Sequence, residues 1–221
     1  EMCIRDRACR FRKDGSRGLF LSEHRRCYDE IIDYCNKLVY QGKLKPCRGS
    51  IRHDDKNTLK SEFPAMGHFP IEVESSEKRG SSRFNKEEAQ QIIQWIATHA
   101  DKIQSTYPKE GGIENLIGVI TPFKAQAAVI KKALPKHLKK IRVGTIHTFQ
   151  GAECRIIIIS TVYGGEDGCF FIENNKSLMN VAVSRAKDFF FVFGNRKCLL
   201  HTESSTTGLL RQMTEESIAG K

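Results

Sequence analysis

Three short, unbroken apolar runs, Leu116 to Ile120, Ile156 to Val162 and Phe189 to Phe193, constrain this chain more than any other feature. An alternating pattern marks a strand with one wet face, whereas a continuous one marks a strand covered on both faces, as in a parallel sheet. The segments between the runs carry helical spacing. Phe123 to Leu134 reads as an amphipathic helix, followed by a basic turn and a shorter strand near Arg142 to Thr145, and Ser177 to Arg185 reads as a helix of small, closely packing residues. Strand and helix alternate, which predicts one α/β domain with a doubly wound, mainly parallel sheet and helices on both faces.

Upstream, Ile31, Ile32, Cys35, Leu38 and Val39 fall on one face of a helix over Tyr28 to Val39. Tyr40 to Lys60 is polar, basic and turn-rich and reads as an exposed connection with solvated charge. A strand is expected over His68 to Val73, then a Ser-rich charged loop from Glu74 to Arg83. Asn85 suits a helix N-cap, Glu88 is spaced to complete a capping box, and the helix is expected to reach about His99.

Composition narrows the class of partner. Among 221 residues, 36 Lys and Arg stand against 26 Asp and Glu, a net charge of +10 that favours an anionic partner such as nucleic acid. The longest apolar runs fall far short of the roughly 20 residues of a membrane helix, so no membrane partner is expected. Eight cysteines are scattered without a C-x-x-C pair or a histidine at zinc spacing, which predicts no metal site and buried thiols in a reducing, cytoplasmic setting.

In an open parallel sheet, ligands bind beyond the carboxyl ends of the strands, so the polar residues near the run ends are the candidates. Thr121, Pro122 and Phe123 end the first run, where a hydroxyl and backbone amides could grip a phosphodiester or merely cap and start a helix. Gly144 to Glu153 gathers Thr145, His147, Thr148, Gln150, Gly151 and Glu153 just before the strongest strand. Arg185, among small and apolar residues on a packed helix, needs an anionic partner, either a phosphate or a carboxylate such as Asp188 or Glu153. Arg25 and Arg26, just ahead of the first helix, run against the preference of a helix start for acidic residues.

In this order the segments resemble the second RecA-like domain of superfamily 1 helicases, in the branch of the nonsense-mediated-decay RNA helicase. Leu21 to Arg26 followed by Tyr40-Gln41-Gly42-Lys43-Leu44 is similar to motif IV and its helix. Gly118 to Gln126 is similar to the Thr-Pro-aromatic segment, Thr145 to Glu153 to motif V, and Asn180 to Lys187 to motif VI. The resemblance spans about Leu19 to Cys198 and implies a RecA-like domain over 19–201, between a truncated or poorly ordered segment 1–18 and a tail 202–221.

It further implies that Arg26 and Arg185 act as arginine fingers on the γ-phosphate of ATP, with Glu153, Gln150 and Gly151 near the nucleotide. Thr121, Pro122, Phe123, Thr145, His147 and Thr148 would line a single-stranded DNA or RNA track, although an Asp stands at the place of His147 in some members. One departure is clear. No G-x-x-x-x-G-K-[ST] loop and no strand ending in Asp-Glu is present. ATP with Mg²⁺ is therefore expected mainly on an N-terminal RecA-like domain absent from this chain, which alone should not hydrolyse ATP. The alternative from a different class is a non-catalytic nucleic-acid-binding module with a degenerate nucleotide cleft.

Overall fold

The computed structural model describes residues 22–149 and 151–219. Segment 1–18, Leu21 and Gln150 lie outside the described residues. In chain order the elements are β1 (Glu23–His24), α1 (Asp29–Cys35) continued by a π-helical turn (Asn36–Tyr40), β2 (Lys45–Pro46), β3 (Met66–Pro70), β4 (Glu77–Arg79), β5 (Ser82–Phe84) and α2 (Lys86–Thr106). There follow α3 (Ile113–Leu116), β6 (Ile117–Ile120), α4 (Lys124–Ala133), β7 (Arg142–Gly144), β8 (Cys154–Ser160), α5 (Phe170–Glu173), α6 (Lys176–Val183), β9 (Ala186–Gly194) and α7 (Thr206–Ala219).

The central sheet has five strands in the order β3-β9-β8-β6-β7, all parallel. Ile156 to Ile159 pair with Phe189 to Val192, and both rows are fully buried, the double coverage that the unbroken apolar runs require. Crossovers between parallel strands are right-handed, so their direction decides the face. The path from β6 through α4 to β7 runs one way across the sheet and that from β8 through α6 to β9 runs the other, which puts the two helices on opposite faces. Accordingly α2 packs with α4, and α1 with α6. The fold is doubly wound and RecA-like.

Several local expectations change. The edge strand β3 starts two residues earlier than its hydropathy suggests, and α2 runs on to Thr106. The Ser-rich loop contains the hairpin β4–β5. The segment after residue 201 forms α7, with Leu209, Leu210 and Met213 buried and the Glu173 carboxylate accepting from the Thr206 and Thr207 amides.

Only half of the expected capping box forms. Asn85 Oδ1 accepts from the Glu88 amide at 3.0 Å, as an N-cap should. The Glu88 side chain does not return to the Asn85 amide, which donates instead to Gln126 Oε1 at 2.8 Å. It turns inward, fully buried, and accepts from the Ser160 hydroxyl and from the Val162 amide at 3.0 and 3.1 Å. Burial pushes its carboxyl up to about 8, partly offset by these hydrogen bonds. Val162, a β-branched residue at φ 75°, is held in a costly conformation by that grip at the end of β8.

Candidate functional site

Because every strand of the sheet points the same way, its two ends carry different residues, and the sequence candidates divide between them. At the carboxyl end, Thr121 follows β6, is fully buried, and donates its amide to the Gly144 carbonyl of β7 at 3.0 Å. Pro122 and Phe123 are half-buried, and Phe123 stands at the N-cap of α4. Thr145 follows β7 and opens a 3-10 turn, Ile146–Phe149, on which His147 and Thr148 are exposed. The ring of Phe149 anchors that turn in the core. It fits only because residue 118 is glycine: a Cβ there would lie 2.5 Å from the ring.

At the amino end, Glu153 precedes β8 and Arg185 precedes β9, next to each other because Cys154 pairs with Ala186. Arg26, just ahead of α1, joins them. Its Nε lies 2.7 Å from Glu153 Oε1, and its Nη1 donates to the Ser184 carbonyl at 3.3 Å. Lys187 Nζ stands 3.7 Å from the other Glu153 oxygen. Arg185 donates to the Val181 carbonyl at 3.3 Å and to the Ser184 hydroxyl at 3.4 Å. Among the described residues no carboxylate pairs with Arg185. Glu153 belongs to Arg26 and Lys187, and Asp188 to Arg48 and Arg155. Both Arg26 and Arg185 remain partly exposed.

The expectation that informative residues follow the strands thus covers one end only, since the cationic cluster forms where β8 and β9 begin. Gly151, exposed at φ 77°, lies on the connection running from the carboxyl end to the amino end. The two neighbouring arginines also part company: Arg25 forms an exposed pair with Glu23, while Arg26 turns into the cluster.

Arg48 is a member of this site that the sequence reading missed. The stretch around it reads as a solvated basic loop, yet Ile51 and Leu59 are core residues and the Arg48 guanidinium is mostly buried. It donates to the carbonyls of Arg26 at 2.7 Å and Lys187 at 2.6 Å, and to Asp188 Oδ1 at 2.5 Å, and it lies 3.8 Å over the Tyr28 ring. One side chain therefore ties the backbones of both arginine segments together. Burial pushes the Cys27 thiol up to about 12 against the opposing pull of Arg26, Arg48 and Arg185, whose positive charges all reach this one sulfur.

The lysine-rich turn after α4 has a structural role in part: Lys139 Nζ donates to the carbonyls of Lys131 and Lys132 at 2.6 and 2.9 Å, which caps the helix end. Among the described residues no group of three His, Cys, Asp or Glu is placed to hold a metal ion, and no helix is long and apolar enough to cross a membrane.

A family model described as an AAA domain, AAA_12, matches residues 8–197. The chain belongs to the AAA_12 family. Relatives of this AAA_12 chain include the RNA helicase Mov10l1 of Homo sapiens, 31% identical over 193 residues that cover 81% of the chain and 15% of that protein. The ATP-dependent helicase upf1 of Schizosaccharomyces pombe is 29% identical, with 79% of the chain and 19% of that protein covered. The Regulator of nonsense transcripts 1 homolog of Arabidopsis thaliana is 25% identical, with 91% and 16% covered. The AAA_12 chain thus spans less than a fifth of the length of each of these curated relatives. Family, relatives and fold agree with a second RecA-like domain of superfamily 1 helicases in the nonsense-mediated-decay branch.

Proposed function

We propose that this chain is the second motor domain of an ATP-dependent nucleic-acid helicase or translocase, acting against an N-terminal RecA-like domain that carries the P-loop. The observation that carries the reading is the convergence of Arg26 and Arg185 on Ser184, both arginines partly exposed and Arg185 without a carboxylate partner among the described residues. A guanidinium of that kind is suited to a phosphate, to which it presents a planar, permanently charged fork. When the domains close, both arginines meet the γ-phosphate and stabilise the charge that develops during phosphoryl transfer.

Glu153 holds Arg26 and Lys187 in the open state, and Gln150 and Gly151 couple the nucleotide site to the nucleic-acid site. Among the described residues the amino end brings its cations together with carboxylates already paired to them, and no group of three His, Cys, Asp or Glu could hold a metal ion. That donor set suits phosphate, so ATP and Mg²⁺ are held mainly by the partner domain. Alone, the chain does not hydrolyse ATP. At the carboxyl end Thr121, Pro122, Phe123, Thr145, His147 and Thr148 line the path of single-stranded DNA or RNA. The buried thiols suit a reducing compartment such as the cytoplasm.

The test is nucleic-acid-stimulated ATP turnover by a polypeptide in which this chain follows its P-loop domain. Arg26→Ala and Arg185→Ala are each expected to cut turnover by about a hundredfold or more while single-strand affinity is kept. Unchanged turnover in both variants overturns the reading.

A further inference from the structure

Two consecutive phenylalanines on α5 are displayed to solvent. Phe170 is 70% exposed and Phe171 41% exposed, in a domain whose other phenylalanines are buried or half-buried among the described residues. They are held there by defined contacts. The Phe171 amide donates to the Tyr163 hydroxyl at 3.2 Å, and the Phe171 and Tyr163 rings flank Phe123 at 5.8 and 5.5 Å between centroids. The start of the same short helix is packed through Cys169, whose sulfur lies 2.6 Å from that of Cys198 beyond β9. The ledge is therefore continuous with Pro122 and Phe123 at the carboxyl end of β6.

Cations adjoin it on the side of α4 and the β4–β5 hairpin, where Arg79 lies 5.7 Å over the Phe84 ring. The β4–β5 hairpin sits against the first turn of α4 through the Ala125 amide, which donates to Ser82 Oγ at 3.1 Å. Its Arg83 reaches Asp167 at 2.7 Å and lies 5.5 Å over the Tyr163 ring. Glu77 is taken up by Lys86 and Asp167 by Arg83, which leaves Lys78, Arg79 and Lys124 exposed with no carboxylate partner among the described residues. Glu166, exposed on the loop before the ledge, and Glu74, exposed beside it with its carbonyl accepting from the Glu166 amide at 2.9 Å, are opposing charges. Flat apolar faces next to unneutralised cations are the chemistry that binds single strands: bases stack on rings while phosphates meet lysine and arginine.

We propose that the Phe170–Phe171 ledge is a base-stacking platform for single-stranded nucleic acid, with Lys78, Arg79 and Lys124 on the adjoining phosphates. The proposal rests on the motor-domain reading for the strand's path and extends it past Phe123 onto α5. It differs from a protein-docking surface in requiring both a stacking face and a phosphate-neutralising rim.

The experiment uses the 221-residue chain and fluorescein-labelled 15-nucleotide oligo-dT and oligo-rU, read by fluorescence anisotropy over a range of salt concentrations. Combined Phe170→Ala and Phe171→Ala substitution, at exposed positions and with thermal unfolding checked to be unchanged, is expected to weaken binding about tenfold or more. The salt slope should stay the same, because no phosphate contact is removed, and Phe→Trp at both positions should restore affinity. Combined Lys78→Glu and Arg79→Glu should lower the salt slope, and Glu166→Lys should tighten binding. Binding by the double alanine variant at wild-type strength, or no binding of either oligonucleotide by the wild-type chain, overturns the ledge. Neither result touches arginine-dependent turnover, which judges the motor reading separately. A ledge effect together with unchanged turnover in the arginine variants would keep the platform and remove the motor.

Discussion

Arg26 and Glu153, far apart in the chain, meet with Nε 2.7 Å from Oε1, and the same guanidinium donates to the carbonyl of Ser184 at 3.3 Å. The side chain is thus oriented from two directions before any phosphate arrives, and it is left partly exposed. A planar fork can satisfy a carboxylate and a carbonyl at once, whereas an ammonium is a single compact charge on a flexible stem. Arg26→Lys should therefore behave nearly as badly as Arg26→Ala, losing at least about tenfold in turnover with little change in single-strand affinity. Steady-state ATP hydrolysis beside an anisotropy titration checks it, and full activity of the lysine variant would mean that charge alone suffices.

Arg48 is expected to matter for stability as well as for turnover. Asp188 is 1% exposed and is held by Arg48, Arg155 and the Tyr107 hydroxyl. Removing one partner leaves a buried carboxylate short of compensation and the Arg26 and Lys187 carbonyls short of a donor. Arg48→Ala should cost about 3 kcal/mol or more in urea unfolding. Asp188→Asn should cost less, since the amide keeps the shape and one acceptor. Equal stability of Arg48→Ala and wild type would show that the network adds nothing.

Glu88 gives stability a distinctive pH dependence. Its folded value is raised to about 8 by burial, above that of an unfolded glutamate, so the native state binds the extra proton. The stabilising contribution is fully present below the unfolded value and is lost as pH rises through about 8, at up to about 1.4 kcal/mol per pH unit. Glu88→Gln, neutral at every pH, should flatten that slope. Urea midpoints of the two proteins measured between pH 5 and 8 test it, and parallel curves would contradict it. His68 works in the opposite sense, because burial lowers it to about 4 and its stabilising contribution is lost as pH falls. The comparison at position 88 cancels that background.

Gly118 should tolerate no side chain. With a Cβ only 2.5 Å from the Phe149 ring, Gly118→Ala must displace the turn that carries His147 and Thr148, at a cost of about 1–3 kcal/mol. Thermal unfolding and oligonucleotide affinity should both suffer, and a variant with wild-type values in both would show that the turn is anchored elsewhere.

The sheet was legible because β6, β8 and β9 are covered on both faces and leave unbroken apolar runs. Asn85 was legible because an N-cap is a local matter. What lay beyond reach depended on distant partners. A glutamate three residues past an N-cap reads the same whether it returns to the cap or, like Glu88, enters the core to hold Val162. Arg48 is one cation among several in a polar stretch, and only the folded chain shows that it meets Asp188. The hairpin β4–β5 is short, polar and largely exposed, so it carries no apolar alternation. At the site, residue chemistry left the partner of Arg185 open between phosphate, Glu153 and Asp188. The fold removes both carboxylates from that choice by engaging them elsewhere.

The most direct test of the two-arginine cleft is affinity for a transition-state mimic, ADP with aluminium fluoride, compared with ADP alone, on the polypeptide that joins this chain to its P-loop domain. Groups that act on developing charge bind the mimic far better than the ground state. Arg185→Ala and Arg26→Ala should each weaken binding of the mimic by about a hundredfold while ADP affinity changes little. Equal losses on both ligands, or no loss on either, would contradict the assignment of these arginines to the transferring phosphate.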